Sequence, residues 1–427
     1  MKIDFDLDNA RKADDADPLA GFRERFFIPK RTNDADVTYL CGNSLGLQPK
    51  TVGTLIQEEL DLWAEMAVKA HFHSSRPWVS YQELLAPPLA HLVGCNPNEV
   101  VAMNTLTVNL HLMMASFYRP SRERWKVLIE DPAFPSDRYA VESQIRLHGF
   151  DPDEALIEIK PRPGESTIRM EDLERQIVSD GSMIALILMP GINYYTGQRF
   201  DIEQIVRLGR EAGCVVGFDL AHAVGNVPMS LHDWNADFAV WCSYKYLNGG
   251  PGAIAGCFVH DRHGQRTDLP RLAGWWGNKQ STRFAMDRRF DPSSGAEGWQ
   301  VSNAPILSLA PVLASLRIFE EVGLTALRVK SERLTSYFTQ LVSERLGNRV
   351  DILTPTQPEQ RGCQLSLRVR GTRAEQQRAF DALQARDVIC DWREPDVIRA
   401  APVPLYNRYE DIYEFVAVVE QALTLEK

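Results

Sequence analysis

Two apolar runs that each lead into a charged residue constrain this chain more than any other feature. The first, Val215–Phe218, is followed by Asp219, and the second, Phe238–Trp241, leads into Ser243-Tyr244-Lys245. Short apolar runs of this kind are typical of buried strands in a parallel sheet. Ligands of such sheets bind where the strands end. Because a lone carboxylate or amine is costly beside a buried strand, the pair indicates a binding site.

The two groups match what pyridoxal 5'-phosphate (PLP) requires of a protein. Its aldehyde condenses with a lysine amine, and its pyridinium nitrogen takes an acidic partner. Lys245 and Asp219 supply these groups, His222 follows the acid, and a Gly-rich run follows the lysine. Ordinary surface loops would explain either residue alone but not the combination. We therefore predict a PLP site in which Lys245 is the nucleophile.

The segments around this stretch alternate between strand and helix patterns. Apolar strands are predicted at Val127–Ile129 and Ile184–Met189, and an amphipathic helix at Asp201–Ala212. This alternation predicts an α/β fold with a large, mostly parallel sheet of seven strands, covered by helices on both faces. Shorter strands and helices near the C-terminus predict a smaller α+β domain. One further helix is predicted at Tyr81–Val93.

A chain of 427 residues is too long for one simple core. We predict an N-terminal arm and helix, residues 1–70, that pack with the small domain. Residues 71–325 would form the large PLP-binding domain, and residues 326–427 the small C-terminal domain.

Composition narrows the class of protein. The formal net charge of -10 argues against a nucleic-acid partner, and no apolar run reaches the length of a membrane span. The seven cysteines are odd in number and lack CxxC spacing, which disfavours a disulfide framework and fits a reducing compartment. We expect a cytoplasmic protein without a metal site, although His71 and His73 share one loop.

Several other residues have both a structural and a functional interpretation. Asn104–Thr107 could cap the apolar helix that follows, or its free N–H groups could bind a phosphate. Phe134 could stack on a heteroaromatic ring, and Asp137 could simply cap the next helix, predicted at Arg138–His148. Arg399 ends a strand, where it could clamp a substrate carboxylate or form a surface salt bridge.

A set of ordered motifs lies between residues 39 and 410. The motifs are Asp219-Leu-Ala-His222, SYKYLNGG from Ser243, CGNSLGLQPK from Cys41, TLTVNLHLMMASF from Thr105, AFPSDRYA from Ala133, YYTGQ from Tyr194, GWWG from Gly274, STRFAMD from Ser281, VSNAPI from Val301 and IRAAPVPLYN from Ile398. Together they resemble the kynureninase family of fold-type-I PLP enzymes. The resemblance implies PLP-dependent hydrolysis of L-kynurenine, and of 3-hydroxykynurenine, in tryptophan catabolism and NAD biosynthesis. The products would be anthranilate (or 3-hydroxyanthranilate) and L-alanine.

The resemblance also implies roles for individual residues. Lys245 and Tyr244 would be catalytic, and the substrate would contact Ser44, His71, Asn303 and Arg399, with Arg399 on the α-carboxylate. It further implies a homodimer in which Trp275 and Asn303 reach the partner's site. The residues expected to contact the cofactor are Leu106, Thr107, Phe134, Asp137, Asp219, His222, Tyr244, Lys245, Trp275 and Asn303.

Two other functions stay open from the residues alone. Another enzyme of the same fold, an aminotransferase or a cysteine desulfurase, would use the same cofactor. A desulfurase needs a cysteine on a mobile loop, and Cys363, the one candidate, leads directly into a strand. A catalytically silent binding protein is the second alternative, and the intact Asp219, His222 and Lys245 argue against it.

Overall fold

The computed structural model describes residues 6–424, and the strands within that range form three sheets. The strands are β1 (Thr38–Tyr39), β2 (Val100–Ala102), β3 (Lys126–Glu130), β4 (Leu156–Ile159), β5 (Ile184–Pro190), β6 (Val215–Asp219), β7 (Phe238–Trp241), β8 (Gly256–Val259), β9 (Val350–Ile352), β10 (Leu365–Val369), β11 (Val388–Ile389), β12 (Asp391–Arg393) and β13 (Val397–Ala400).

The α-helices of the same range are mostly amphipathic, and short 3₁₀ helices connect several of them. They are α1 (Leu7–Asp15), α2 (Val52–Met66), α3 (Ala70–His73), α4 (Ala86–Val93), α5 (Leu106–Phe117), α6 (Pro135–Leu147), α7 (Pro152–Ala155), α8 (Met170–Asp180), α9 (Ile202–Glu211), α10 (Asp261–Gly264), α11 (Gln280–Arg283), α12 (Ile306–Val322), α13 (Leu324–Arg345), α14 (Arg373–Ala385) and α15 (Tyr409–Thr424). The 3₁₀ helices are Ala20–Arg25, Ala67–Lys69, Trp78–Leu84, Pro97–Glu99, Trp275–Gly277, Ala296–Trp299, Gly347–Arg349 and Pro358–Gln360.

The large sheet has seven strands in the order β2-β8-β7-β6-β5-β3-β4. Its neighbours from β4 to β7 run parallel, while β8 runs antiparallel to both β7 and β2. Every residue of β5 is buried, as expected for a strand that helices cover on both faces. Two hydrophobic cores flank the sheet, one on each side. The predicted α/β fold with a mostly parallel sheet is confirmed.

The C-terminal part holds the smaller sheet, which is antiparallel with the order β12-β13-β10-β9. Its core includes Leu365, Leu367 and Val369 of β10, together with buried residues of α13, α14 and α15. Phe338 of α13 packs edge-on against Phe415 of α15, with ring centroids 5.2 Å apart. The predicted small α+β unit is therefore confirmed.

The N-terminal segments contact both parts of the molecule. Helix α1 packs on α15, and β1 pairs with β11. Helix α2, which we expected on the small domain, packs on α12 instead, because its buried Val52 and Leu55 belong to the large core. We propose that the domains divide near residues 70 and 325, which limited proteolysis would test. The first five and last three residues of the chain lie outside the described range.

Three local features differ from the sequence-based predictions. The helix expected at Tyr81–Val93 is split into a 3₁₀ helix ending at Leu84 and α4 beginning at Ala86. Pro87 and Pro88 lack the N–H groups that a continuous helix would need, so the α-helix starts beside them. Strand β4 and helix α8 were not predicted. None of the helices within residues 6–424 combines the length and apolar character needed to span a lipid bilayer.

Candidate active site

A cavity of about 170 Å³ lies where β3, β5 and β6 end, beside the segment that follows β7. This is the edge of the sheet at which the sequence places Asp219 and Lys245. Eight of the ten residues predicted to contact a cofactor line this cavity. Its lining comprises Leu106, Thr107, Glu130, Phe134, Ser136, Asp137, Pro190, Ile192, Tyr194, Asp219, Ala221, His222, Tyr244 and Lys245.

Lys245 projects into the cavity from the segment after β7. Its Nζ lies 3.0 Å from His222 Nε2 and 5.9 Å from the centroids of the Phe134 and Tyr244 rings. Burial lowers the pKa of His222 well below its usual value, so the imidazole is neutral beside the amine. The amine therefore lies in the cavity with a hydrogen-bond partner and two aromatic rings beside it.

Asp137 and Asp219 form a buried pair of carboxyl groups in the cavity. Burial and the neighbouring Asp219 carboxylate raise the pKa of Asp137 well above its usual value, so Asp137 stays protonated and its O–H donates a hydrogen bond to the Asp219 carboxylate. The Ala221 N–H donates to Asp219 Oδ1 over 2.6 Å. Burial raises the pKa of Asp219 as well, but the Asp137 O–H and the Ala221 N–H stabilise its carboxylate, so Asp219 is the ionised member of the pair. Asp137 lies inside the first turn of α6, which starts at Pro135, so it is not the helix cap that one interpretation allowed.

Six of the fourteen lining residues were not among the predicted cofactor contacts, and Glu130 and Ser136 are the two of these that lie beside predicted polar groups. Glu130 ends β3 and is only 4% exposed; burial, with the nearby Asp219 and Asp131, raises its pKa to about 8. It ends a buried apolar strand in the same way as Asp219, and that signal could have identified it. Ser136 lies in the first turn of α6, with its Oγ 2.7 Å from Thr107 Oγ1.

The first turns of α5 and α6 both face this cavity. Thr105 precedes α5 and Phe134 precedes α6, and neither side chain caps its helix. The first N–H groups of a helix lack intrahelical partners and carry the positive end of its dipole. Together with the Thr107 and Ser136 hydroxyls, they form a site suited to a phosphate group. Capping alone therefore does not explain Thr105 and Thr107.

The cavity fits PLP. It offers an amine at one end, a buried carboxylate, a phosphate-type site at two helix starts and the ring of Phe134. His222 Nδ1 and Asp137 Oδ1 are buried atoms without a hydrogen-bond partner in the structure, as expected where a polar ligand belongs. Tyr244 borders the same space, and burial raises the pKa of its phenol, so the hydroxyl keeps its proton.

Arg399 is fully buried outside the lining of the cavity. Its Nε donates to Asp391 Oδ1 over 2.7 Å, its Nη2 donates to Oδ2 of the same carboxylate, and its Nη1 donates to the Tyr194 carbonyl over 2.7 Å. Asp391 and Arg399 lie directly opposite each other on β12 and β13, which explains the ion pair. Because Tyr194 lines the cavity, Arg399 lies directly behind its wall.

The segment that carries Ser44 connects the strand of Arg399 with the segment of Tyr244 and Lys245. Cys41 forms a bridge with Ala401, just after the strand of Arg399, and Gly46 donates its N–H to the Tyr244 carbonyl over 2.8 Å. A side chain at position 46 would meet the Lys245 carbonyl at 2.3 Å, so the close approach requires glycine. Ser44 itself is half-buried and lies outside the cavity lining.

The structure does not bring His71, Trp275 or Asn303 to the cavity of their own chain. Asn303 is exposed, and the Trp275 side chain is 49% exposed with its Nε1 bound to the Arg283 carbonyl. Instead, the two loops meet each other through aromatic rings. Phe284 lies 5.4 Å from Trp275 and 5.5 Å from Phe72, the neighbour of His71, between ring centroids.

Comparison with known proteins identifies the family. A model of the kynureninase C-terminal domain matches residues 327–419. Kynureninase from Xanthomonas euvesicatoria pv. vesicatoria is 57% identical over 407 residues, which cover 95% of this chain and 96% of that protein. Kynureninase from Xanthomonas oryzae pv. oryzae is 56% identical, covering 96% and 97%. The chain belongs to the kynureninase family.

Solved structures of other enzymes share the fold of this kynureninase-family chain. A C-DES mutant with glycine covalently linked to the PLP-cofactor has a TM-score of 0.76 at 16% identity, covering 93% of this chain and 98% of that one. The apo cysteine desulfurase from Thermococcus onnurineus NA1 has a TM-score of 0.73 at 16% identity, covering 99% and 100%. These likenesses concern the fold alone. Cys363 is fully buried here, so it is not presented on an exposed loop as a desulfurase requires.

Proposed function

We propose that this chain hydrolyses the Cβ–Cγ bond of L-kynurenine to anthranilate and L-alanine, with PLP as its cofactor. The observation that carries the proposal is identity of 56–57% to kynureninases over about 95% of the chain, combined with a cavity that contains Lys245, Asp219 and His222. In this reaction the oxygen of water enters the carboxylate of anthranilate, and one hydrogen ends on the β-carbon of alanine.

Lys245 has two tasks in this proposal. Its amine holds the cofactor between turnovers and, once the substrate amine has taken its place, moves the proton of the α-carbon. Bound PLP supplies an electron sink for the charge that this proton leaves behind. Neutral His222, 3.0 Å from Nζ, keeps the amine oriented without adding a competing positive charge.

The carboxyl pair supports the cofactor's charge. Asp219 is the ionised member and would accept from the pyridinium nitrogen, while the proton on Asp137 fixes the orientation of the Asp219 carboxylate. Leu106, Thr107 and Ser136 would hold the phosphate at the starts of the two helices.

Tyr244 is our candidate for the group that delivers a proton to the β-carbon of the alanine product. Its phenol borders the cavity and keeps its proton because burial raises its pKa. On the substrate side, we propose that Arg399 binds the α-carboxylate and that Ser44 contacts the same end of the substrate. His71 and Trp275 would frame the aryl ring, and Asn303 would contact both cofactor and substrate.

We also propose that the enzyme works as a homodimer in which Trp275 and Asn303 complete the partner's site. Support comes from the exposed Trp275 and from an apolar groove lined by Phe27, Leu45 and Leu307, which are all at least one-third exposed. Such large exposed apolar surfaces are typical of subunit interfaces. A role in tryptophan catabolism towards NAD, in the cytoplasm, completes the proposal.

The direct test follows anthranilate fluorescence after L-kynurenine is added to purified, PLP-loaded protein. Activity in the wild type and its absence in Lys245→Ala would support the proposal, and product from the variant at the wild-type rate would refute the site. A parallel assay with 3-hydroxykynurenine gives the preference between the two substrates. Product from cysteine instead of kynurenine would favour a desulfurase of the same fold.

A further inference from the structure

A second cluster of potential ligands lies at the edge of the large sheet opposite the cavity. It consists of Glu99, His232, His260 and Asp261, and one ligand atom from each lies within 4.8 Å of all the others. None of these residues takes part in the proposed reaction. Three separate segments of the chain supply them, with only His260 and Asp261 adjacent, so no spacing pattern indicates the cluster.

The fold itself brings the four residues together. Glu99 immediately precedes β2, His232 lies in the turn before β7, and His260 and Asp261 directly follow β8. Because β8 runs antiparallel to both β2 and β7, its end meets the starts of those two strands. The cavity lies beyond the other end of β7, so the two sites are separated by the length of the sheet.

The distances within the cluster suit one shared cation. His232 Nδ1 lies 2.9 Å from Glu99 Oε2, and His260 Nδ1 lies 2.8 Å from Asp261 Oδ1 and 3.5 Å from Glu99 Oε1. The two imidazole rings are 4.9 Å apart between centroids. Zinc–nitrogen bonds of about 2.0–2.1 Å at a tetrahedral angle place two coordinating imidazoles at roughly this separation.

The charges and the supporting hydrogen bonds agree with this geometry. With neutral imidazoles the two carboxylates carry two negative charges, which one divalent ion balances. The nearest cation in sequence, Arg262, is already bound to Asp237 over 2.6 Å. Buried Glu99 also accepts from the N–H groups of Asn96 and Asp261, each over 2.8 Å, as carboxylates that bind metals do.

We propose that Glu99, His232, His260 and Asp261 bind one divalent transition-metal ion of the zinc class. Two imidazoles and two carboxylates are a ligand set that Zn²⁺ accepts. The His232 and Asp261 side chains are 35% and 45% exposed, so the ion can enter from solvent. The site is structural, because it ties the ends of three strands together far from the reacting groups.

The test uses PLP-loaded enzyme that has been treated with a chelator and dialysed. Titration with ZnCl₂ in a calorimeter should show one ion per chain, and Tm should rise as the site fills. The variants His232→Gln and Asp261→Asn remove partly exposed ligands and leave the core intact. Each should weaken zinc binding by about 100-fold or more, because a first ligand contributes at least as much as the outer groups that support it.

Matched controls alter exposed residues of the same types elsewhere. His91→Gln and Asp153→Asn should bind zinc as the wild type does. Visible absorbance of the Co²⁺-loaded protein should likewise lie in the range of nitrogen and oxygen ligands and disappear in His232→Gln. Stoichiometric binding that is unchanged in both cluster variants, or no binding by the wild type, would overturn the proposal. The second result would mean that protonated His232 pairs with Glu99 and no metal is needed.

Discussion

The cavity at Lys245 and the aromatic loops at His71 and Trp275 differ in how complete one chain makes them. In the cavity, Asp137, Asp219 and His222 are buried, and the Lys245 amine is within hydrogen-bond distance of His222. The loops place large rings on the surface, with Phe72 50% and Trp275 49% exposed, and contact each other instead of the cavity. One chain therefore supplies the proposed cofactor site by itself, whereas the parts proposed to select the aryl group face outwards.

The largest effect on activity should come from a substitution of Lys245 in the cavity. Lys245→Ala removes both the nucleophile and the proton carrier, so kcat for kynurenine should fall by at least about 10³-fold. The visible absorbance of the lysine-bound cofactor should be lost in the same variant. Lys160→Ala, at an exposed position, is the control and should behave as the wild type. Retention of the absorbance band by Lys245→Ala would rule out Lys245 as the attachment point.

Subunit mixing tests the loops directly. If Trp275 completes the partner's site, a mixture of inactive Lys245→Ala and impaired Trp275→Ala dimers should regain activity after subunit exchange. After random exchange, half of the dimers would be hybrids, and one of the two sites in each hybrid would be intact. The mixture should therefore reach about a quarter of the wild-type activity.

The matched control mixes Lys245→Ala with Asp219→Ala. Both residues belong to the cavity of their own chain, so neither hybrid site is complete and no activity should return. Recovery in this control, or none in the Trp275 mixture, would contradict the assignment of the cavity to one chain and of Trp275 to the other. Size-exclusion chromatography with light scattering gives the oligomeric state in each case.

Arg399 belongs to neither region, because it lies behind the cavity wall in an ion pair with Asp391. Arg399→Lys keeps the positive charge but loses the planar fork. KM for kynurenine should rise on the order of 100-fold while kcat changes little, since the carboxylate is bound equally in ground and transition states. A fall in kcat at unchanged KM would show that Arg399 acts on the reacting atoms instead.

The smallest expected effect concerns Glu130 and the pH dependence of stability. The pKa of Glu130 is raised to about 8 in the fold, so the folded state holds its proton more tightly than the unfolded state. The resulting stabilisation is complete below about pH 4.5 and is lost as pH rises towards 8. Glu130→Gln should remove this dependence. The free energy of unfolding of the variant, relative to the wild type, should therefore rise by about 2 kcal/mol from pH 5 to pH 7.

Urea unfolding of the cofactor-free proteins at several pH values provides the measurement. Glu154→Gln, an exposed glutamate, is the control and should follow the wild type. Parallel curves for Glu130→Gln and the wild type would mean that Glu130 ionises normally. Asp137 contributes a dependence of the same sign, which both proteins share.

Sequence patterns predicted the strands that end in Asp219 and precede Lys245, because apolar runs are local and strand ends follow from them. They missed β4 and its neighbour α8, where Leu156–Ile159 is only partly buried at the sheet edge and thus has no continuous apolar run. They also missed Glu130, whose burial depends on the strands beside it. The Asp391–Arg399 pair depends on strand register, which no single segment contains.

The short segment Cys41–Gly46 has a mechanical consequence. Its first residue is bound beside the strand of Arg399 and its last to the Tyr244 carbonyl, one residue from Lys245. Only four residues lie between these two anchors, so the segment has little freedom to lengthen. The group proposed to bind the substrate carboxylate and the group that handles its α-carbon are thus held at a set separation. The length of this segment sets the distance between these two groups. Inserting residues here should therefore reduce activity without altering any side chain of the cavity.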